Sequence, residues 1–378
     1  MKRFHRPGAT TYLVMVILAL CGAMALLAQR TGPITDAPRR VPGPTAPSSD
    51  SREQLPPIET RQRQEAPADA VVFTTETNLV TVDIAVVDNQ GNFIPKIPQG
   101  NFQILEEGVP QQIIKFGQSE APMTVCLLIE FSNLFQSYWT ETWYQTLTAT
   151  YGFVDTLRPE DWVAVVAYDL RPEILSDFTQ DRRETQEALA RLRIAGYSES
   201  NLFDALAEMC TRMKDIEGRK SIVVIASGMD TFSKLTYGKT REIVQEAGVT
   251  VYAIGLMQAL REWYDSRGYM GSIQRMDFLQ ADNQMRTFAK ETGGMSFFPR
   301  FYGEFPSIYQ AIHYSMRNQY SAIYSPTNQK KDGTWRKIKV RLVDPKTNKD
   351  LRIVNEKGKS IKYQVLAKAG YQAPNEVE

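Results

Sequence analysis

Two histidines in 378 residues, His5 and His313, limit what this chain can do by proton transfer. A Ser-His-Asp triad or a histidine-rich zinc site would have to be built on His313 alone. The groups left with chemical promise are hydroxyls and acids at the ends of apolar runs. Thr124-Val-Cys-Leu-Leu-Ile-Glu130-Phe-Ser132-Asn-Leu134 has the length of a strand and ends in an acid and a hydroxyl. Lys220-Ser-Ile-Val-Val-Ile-Ala-Ser227-Gly-Met-Asp230 ends in the same way. Two chemistries suit such strand ends. A serine such as Ser132 or Ser227 is the nucleophile of a hydrolase, or the edge holds a ligand or partner. The first lacks company, because neither a Gly-x-Ser-x-Gly elbow nor a Ser-x-x-Lys beside a strand turn accompanies these serines. The binding reading is therefore preferred, with the hydrolase as the alternative.

Composition excludes other classes. A net charge of +1 gives no electrostatic footprint for nucleic acid. Cys21, Cys126 and Cys210 form neither a disulfide framework nor a C-x-x-C metal pattern. Cys126 lies within an apolar run and Cys210 within a helical pattern, so both read as small buried hydrophobes.

The elements that position these groups follow from periodicity. Continuous apolar runs at Thr124–Glu130, Trp162–Tyr168, Lys220–Ser227 and Val249–Gly255 have the signature of parallel strands covered on both faces. Helical patterns lie between them, which predicts a doubly wound α/β domain. A helix over Ser137–Thr156 is rich in aromatics, of which Tyr144 and Tyr151 fall on a buried stripe. Phe135 and Trp139, close to the sheet's carboxyl edge, are candidates to face a partner. Asp204 opens a helix, where an acid serves as a cap or dipole partner. Asp230 is a loop acid at the same edge and a candidate partner contact. Met257 to about Asp282 reads either as a long functional loop or as a helical excursion capping the sheet. Its Trp263, Tyr264 and Tyr269 are of the types enriched at interfaces.

On these strand ends the chain resembles the von Willebrand factor A-type domain, and more closely a bacterial exported subgroup with flanking β-rich segments. The resemblance covers residues 71–374. It implies a mostly parallel six-stranded sheet of Rossmann-like form, inserted into a small antiparallel Ig-like β-sandwich. It also implies a metal-ion-dependent adhesion site, in which Asp-x-Ser-x-Ser, a loop Thr and a later Asp hold a divalent cation. Here the first Asp position is Glu130, the two Ser positions are Ser132 and Leu134, the loop Thr is Ser200 and the final Asp is Ser227. One carboxylate and three hydroxyls remain, so the site is expected to be degenerate, with no firm cofactor and at most weak binding of Mg²⁺ or another divalent cation.

The two ends of the chain read differently. Residues 1–30 join a basic start to an apolar run, Tyr12–Ala28, just under the roughly 18–20 residues that span a bilayer, so they are a signal peptide or a membrane anchor. Ala23-Met-Ala25 offers a small-x-small cleavage pattern, whereas Leu18-Ala-Leu-Cys21 is a poor lipobox. Residues 31–70 are a Pro-rich linker expected to be disordered. From Val71 alternation replaces this composition. Leu79–Val87 reads as a strand, and Phe102–Leu105 and Ile113–Phe116 as a hairpin turning at Glu106-Glu-Gly108. Further strands are expected at Tyr320–Tyr324, Lys337–Val343 and Tyr363–Tyr371, the last ending in the closing Gly370-Tyr371 typical of the family. Residues 71–118 and 319–372 are thus expected to be two halves of one sandwich around an α/β domain at 122–318, because unpaired edges are a liability that mutual pairing removes. These readings together describe a non-enzymatic cell-envelope binding or scaffold protein. It is expected to be exported, secreted into the periplasm or extracytoplasmic space or held on the membrane by its N-terminal segment, and to engage an envelope protein.

Overall fold

The structure is a computed structural model that describes residues 79–118, 121–132, 147, 150–192, 199–269, 271–354 and 358–375. All of them lie in one compact unit that spans Thr74–Glu378. Its strands in chain order are β1 (Val80–Asp88), β2 (Phe102–Glu106), β3 (Val109–Gln111), β4 (Ile113–Gln118), β5 (Met123–Glu130), β6 (Trp162–Tyr168), β7 (Pro172–Thr179) and β8 (Arg219–Ala226). They continue with β9 (Thr250–Gly255), β10 (Ser296–Phe297), β11 (Tyr320–Tyr324), β12 (Trp335–Leu342), β13 (Ile353–Val354), β14 (Ser360–Ile361), β15 (Tyr363–Ala367) and β16 (Gly370–Gln372). The helices are α1 (150–156), α2 (Arg182–Ala190), α3 (Leu202–Met213), α4 (Tyr237–Glu246), α5 (Gln258–Ser266), α6 (Ser272–Thr292) and α7 (Phe305–Arg317).

The central sheet has the order β10-β9-β8-β5-β6-β7 and is mixed but mostly parallel, with β7 antiparallel at one edge. Every residue of β5 is buried, which is what its uninterrupted apolar sequence demands of a strand covered on both faces. One face packs Val125, Leu127 and Ile129 under α1 and α7, through Phe153, Ile308 and Ile312. The other packs Cys126 and Leu128 under α3 and α6, through Leu206, Met209, Met285 and Phe288. Local chemistry places the helix starts. Asp181 accepts from Arg183 N at the head of α2, and Thr236 accepts from Lys239 N at the head of α4.

Two antiparallel sheets, β15-β1-β11-β4 and β16-β12-β2-β3, enclose a second core. Val82, Ile84 and Val86 of β1 meet Phe102 and Ile104 of β2, Tyr324 of β11 and Ile338 of β12 there. Each sheet joins strands from before and after the α/β region: β1 pairs with β11 and β15, and β2 pairs with β12.

One local expectation is corrected. The hairpin partner of β2 is the three-residue β3, reached through Glu107 and Gly108, both at positive φ. β4 instead crosses to the other sheet and pairs with β11. The crossing lets Phe116 reach the sandwich core, where its ring lies 4.9 Å from Phe102 and 5.6 Å from Tyr320. The stretch from Met257 to Asp282 is the helical excursion and not a long loop, because it holds α5 and the first half of α6. Arg261–Asp282 and Arg275–Asp265 ion pairs clamp those two helices together. The sixth strand of the sheet is completed by β7, which no apolar run announces.

Candidate functional site

The chain runs from β5 through β6 to β7 on one side, then from β8 through β9 to β10 on the other. The switch point therefore lies between the carboxyl ends of β5 and β8, where doubly wound sheets open a crevice. Glu130 is the last residue of β5 and Ser227 follows β8 directly. Parallel pairing of β5 with β8 stops at Ile129 opposite Ile225, one residue short of Glu130.

Side chains take over where the ladder ends. Glu130 Oε2 accepts from Ser227 N at 2.7 Å and from Ser227 Oγ at 2.7 Å. Its Oε1 accepts from Ser132 Oγ at 2.9 Å. Glu130 is 1% exposed, Ser132 0%, Ser200 1% and Ser227 3%, so the cluster is sealed from solvent. Burial pushes the Glu130 carboxyl above the usual carboxylate range, against the opposing pull of Ser227, Ser132 and Ser200.

Ser200 precedes α3 and is fixed through its backbone. Its N–H donates to Thr231 Oγ1 at 2.9 Å and its carbonyl accepts from Thr231 N at 2.8 Å. Its Oγ lies beside the Glu130 carboxyl without a hydrogen bond of normal geometry. The buried hydroxyl of Tyr168 is likewise without such a bond, and burial with the nearby Glu130 charge drives its pKa upward. Tyr168 was not singled out from the sequence. The signal was register: as the end of β6 it stands opposite Glu130 in the parallel ladder.

The remaining candidates are placed elsewhere. Asp230 does not join Glu130, because its carboxylate accepts from Phe203 N at 3.1 Å and Ser233 Oγ at 2.5 Å and so caps the start of α3. Asp204 accepts from Lys234 N and Leu235 N and ties α3 to the loop after β8. Trp263 and Tyr264 lie on α5, and Tyr269 follows it with 64% exposure. Phe135, Trp139 and Leu134 fall outside the described residues. Sequence reasoning passed over Phe232 and Phe301, which stand 61% and 71% exposed in the loops after β8 and β10.

A hard divalent cation asks for near-octahedral oxygen ligands with anionic charge among them. Here the one carboxyl has both oxygens committed to protein donors, burial favours its neutral form, and Asp230 is engaged as a helix cap. Among the described residues no group of three His, Cys, Asp or Glu is placed to hold a metal. Among the described residues the donor set does not fit a hard divalent cation.

Residues 134–230 match the family model of the von Willebrand factor type A domain. This stretch is similar to an A-type domain. The match begins just past Glu130 and Ser132 and ends at Asp230, so it spans the β6, α3 and β8 part of the central sheet. Solved structures resemble the chain at low identity. The proximal thread matrix protein 1 of the mussel byssus aligns at 11% identity and a TM-score of 0.41, covering 56% of this chain and 49% of that one. This chain thus spans about half of the mussel protein. The von Willebrand domain of the type V pili tip protein Mfa5 from Porphyromonas gingivalis aligns at 13% identity and a TM-score of 0.40, covering 53% of this chain and 98% of that one. BatB from Bacteroides thetaiotaomicron, a conserved hypothetical protein, aligns at 15% identity and a TM-score of 0.37, covering 51% and 98%. None of the curated proteins matches the chain. Among the described residues no helix is long and apolar enough to cross a membrane.

Proposed function

We propose that this protein is a non-enzymatic binding or scaffold protein of the cell envelope, whose A-type domain engages a protein partner at the carboxyl edge of its sheet. The observation that carries this reading is the state of the serines. Ser132 and Ser227 both donate to a carboxyl that is buried with them, and no histidine lies among them. A nucleophile needs a path for substrate as well as an activating base, and both serines are buried. Large exposed apolar side chains instead stand in the connections that leave this edge: Phe232 after β8, Tyr269, Met276 and Leu279 in the excursion after β9, and Phe301 after β10. Such residues are interface material.

The adhesion site of the family is degenerate in this reading, and recognition rests on apolar surface and not on a shared cation. Phe135, Trp139, Asp230, Trp263 and Tyr264 complete the proposed partner-facing set. The domain division is 71–118 and 319–372 for the sandwich and 122–318 for the α/β domain. Residues 1–30 target the chain for export or anchor it in the membrane, with residues 31–70 as a tether that places the folded part outside the cytoplasm. The experiment is affinity capture from native envelopes with the full chain as bait, repeated with Phe232→Ala and Tyr269→Ala. A partner retained by the wild type and lost by both variants is expected, whereas undiminished capture would remove this edge from consideration. Turnover of ester, amide or phosphoester substrates, abolished by Ser132→Ala, would replace the reading with the hydrolase.

A further inference from the structure

We propose that the Glu130 carboxyl takes the place a divalent cation holds in A-type domains, fastening β5 to β8 at the switch point by hydrogen bonds. Strands diverge beyond a switch point, and here the β5–β8 pairing ends at Ile129 and Ile225. Ser227 N–H lies past that ladder, in a residue 3% exposed, where it has no β5 carbonyl to receive it. Buried donors of this kind need a partner. Glu130 Oε2 supplies it at 2.7 Å and accepts Ser227 Oγ at the same distance, while Oε1 closes the opposite side on Ser132 Oγ at 2.9 Å. Ser227 Oγ in turn accepts from Met229 N at 3.2 Å, so the clasp also fixes the loop that leaves β8.

Side-chain length explains why a glutamate stands where the family has an aspartate. An aspartate carboxylate reaches short by one carbon–carbon bond, about 1.5 Å, enough to lose a 2.7 Å contact across two strands. A shorter acid would need a further group, such as a cation, to span that gap. The longer acid closes it directly. Ser227 fits the same logic: an aspartate there would set two carboxylates against each other without a metal between them, whereas a serine donates. The exchanges at Glu130 and Ser227 thus form one compensated replacement and not two independent losses. This inference concerns how the domain holds its edge together and stands whether or not the partner reading is right.

The test is thermal unfolding of the full-length protein in chelator and with added Mg²⁺ or Mn²⁺, together with hydrogen exchange of the peptide carrying Ser227. The wild-type midpoint is expected to be the same in all three media. Glu130→Gln keeps an acceptor for Ser227 and presents an amide donor to Ser132, so it should stay near the wild type in midpoint and in Ser227 protection. Glu130→Asp and Glu130→Ala should each lower the midpoint by about 5 °C or more and open Ser227 to exchange. A wild-type midpoint raised by Mg²⁺ or Mn²⁺, with the response lost in Glu130→Gln, would overturn the proposal. So would a Glu130→Asp variant as stable in chelator as the wild type. The cation arm needs only the wild type and Glu130→Gln, so it stands even if Glu130→Asp or Glu130→Ala fails to fold.

Discussion

Tyr324 donates its hydroxyl to Glu106 Oε2 at 2.6 Å inside the β-sandwich, joining β11 of one sheet to β2 of the other. Tyr371, on β16, donates to the same oxygen at 3.1 Å from 265 positions along the chain. Glu106 is 3% exposed, so these two hydroxyls are what its carboxyl has in place of water. Removing the shorter bond leaves a buried acid half satisfied. Tyr324→Phe is therefore expected to cost about 1.5–3 kcal/mol of unfolding free energy, with a smaller loss for Tyr371→Phe. Denaturant unfolding measures both, and a neutral Tyr324→Phe would show that the bond adds nothing net.

Where the α/β helices meet the sandwich, Gly293 stands at φ +83° after α6, and a Cβ there would lie 2.8 Å from the carbonyl carbon of Ala367 and from Lys368 N. Both neighbours are backbone, so neither can swing aside. The contact is reinforced where Ala369 N–H donates to the Glu291 carbonyl at 2.8 Å. Gly293→Ala should lose about 2 kcal/mol or more, through the left-handed backbone and the clash together. Gly108→Ala, also at positive φ but with open space around its Cβ, serves as the control that bears the backbone cost alone. Equal losses for the two would deny the steric part.

His313 on α7 is held below its ordinary pKa of 6.5, chiefly by burial and then by the Arg317 guanidinium. The folded state thus binds a proton less readily than the unfolded chain. Its contribution to stability is complete above pH 6.5 and is lost as the pH falls from there through the folded value. A His313→Gln variant should have a flatter stability profile below pH 6.5 than the wild type. Parallel profiles would assign the acid sensitivity to other groups.

Cys126 on β5 and Cys210 on α3 are fully buried, and burial pushes the Cys126 thiol up to about 12 and Cys210 higher still. Both are expected to resist a thiol reagent in the folded protein and to react together on unfolding. Mass spectrometry after labelling distinguishes them from Cys21. Rapid native labelling at either position would show that the face of the sheet covered by α3 and α6 opens readily.

Much of the central sheet was legible because burial on both faces leaves one composition open to a strand. β5, β6, β8 and β9 are uninterrupted apolar runs for that reason. β7 was not legible. Pro-Glu-Ile-Leu-Ser-Asp-Phe-Thr is an edge strand with most of its residues partly or fully exposed, and pairing with β6 is what makes it a strand. The misplaced hairpin has the same origin. Glu106-Glu-Gly108 does mark a turn, but whether the next strand returns beside β2 or crosses to β11 depends on which core Phe116 can enter.

The site divides in the same way. The sequence by itself determined that Glu130 and Ser132 would end a buried central strand, that Ser227 would end another, and that histidine chemistry was closed to both. Those are matters of residue type and local run, which the chain order carries. Tertiary structure alone decided that the two strand ends adjoin at a switch point, that Tyr168 stands beside them, and that Asp230 turns away to cap α3. It also decided that Glu130 spends both oxygens on serine donors. The physical reason is that hydrogen-bond partners about a hundred positions apart are chosen by where the sheet places them, and a strand's own sequence fixes which face it buries but not which neighbour it meets.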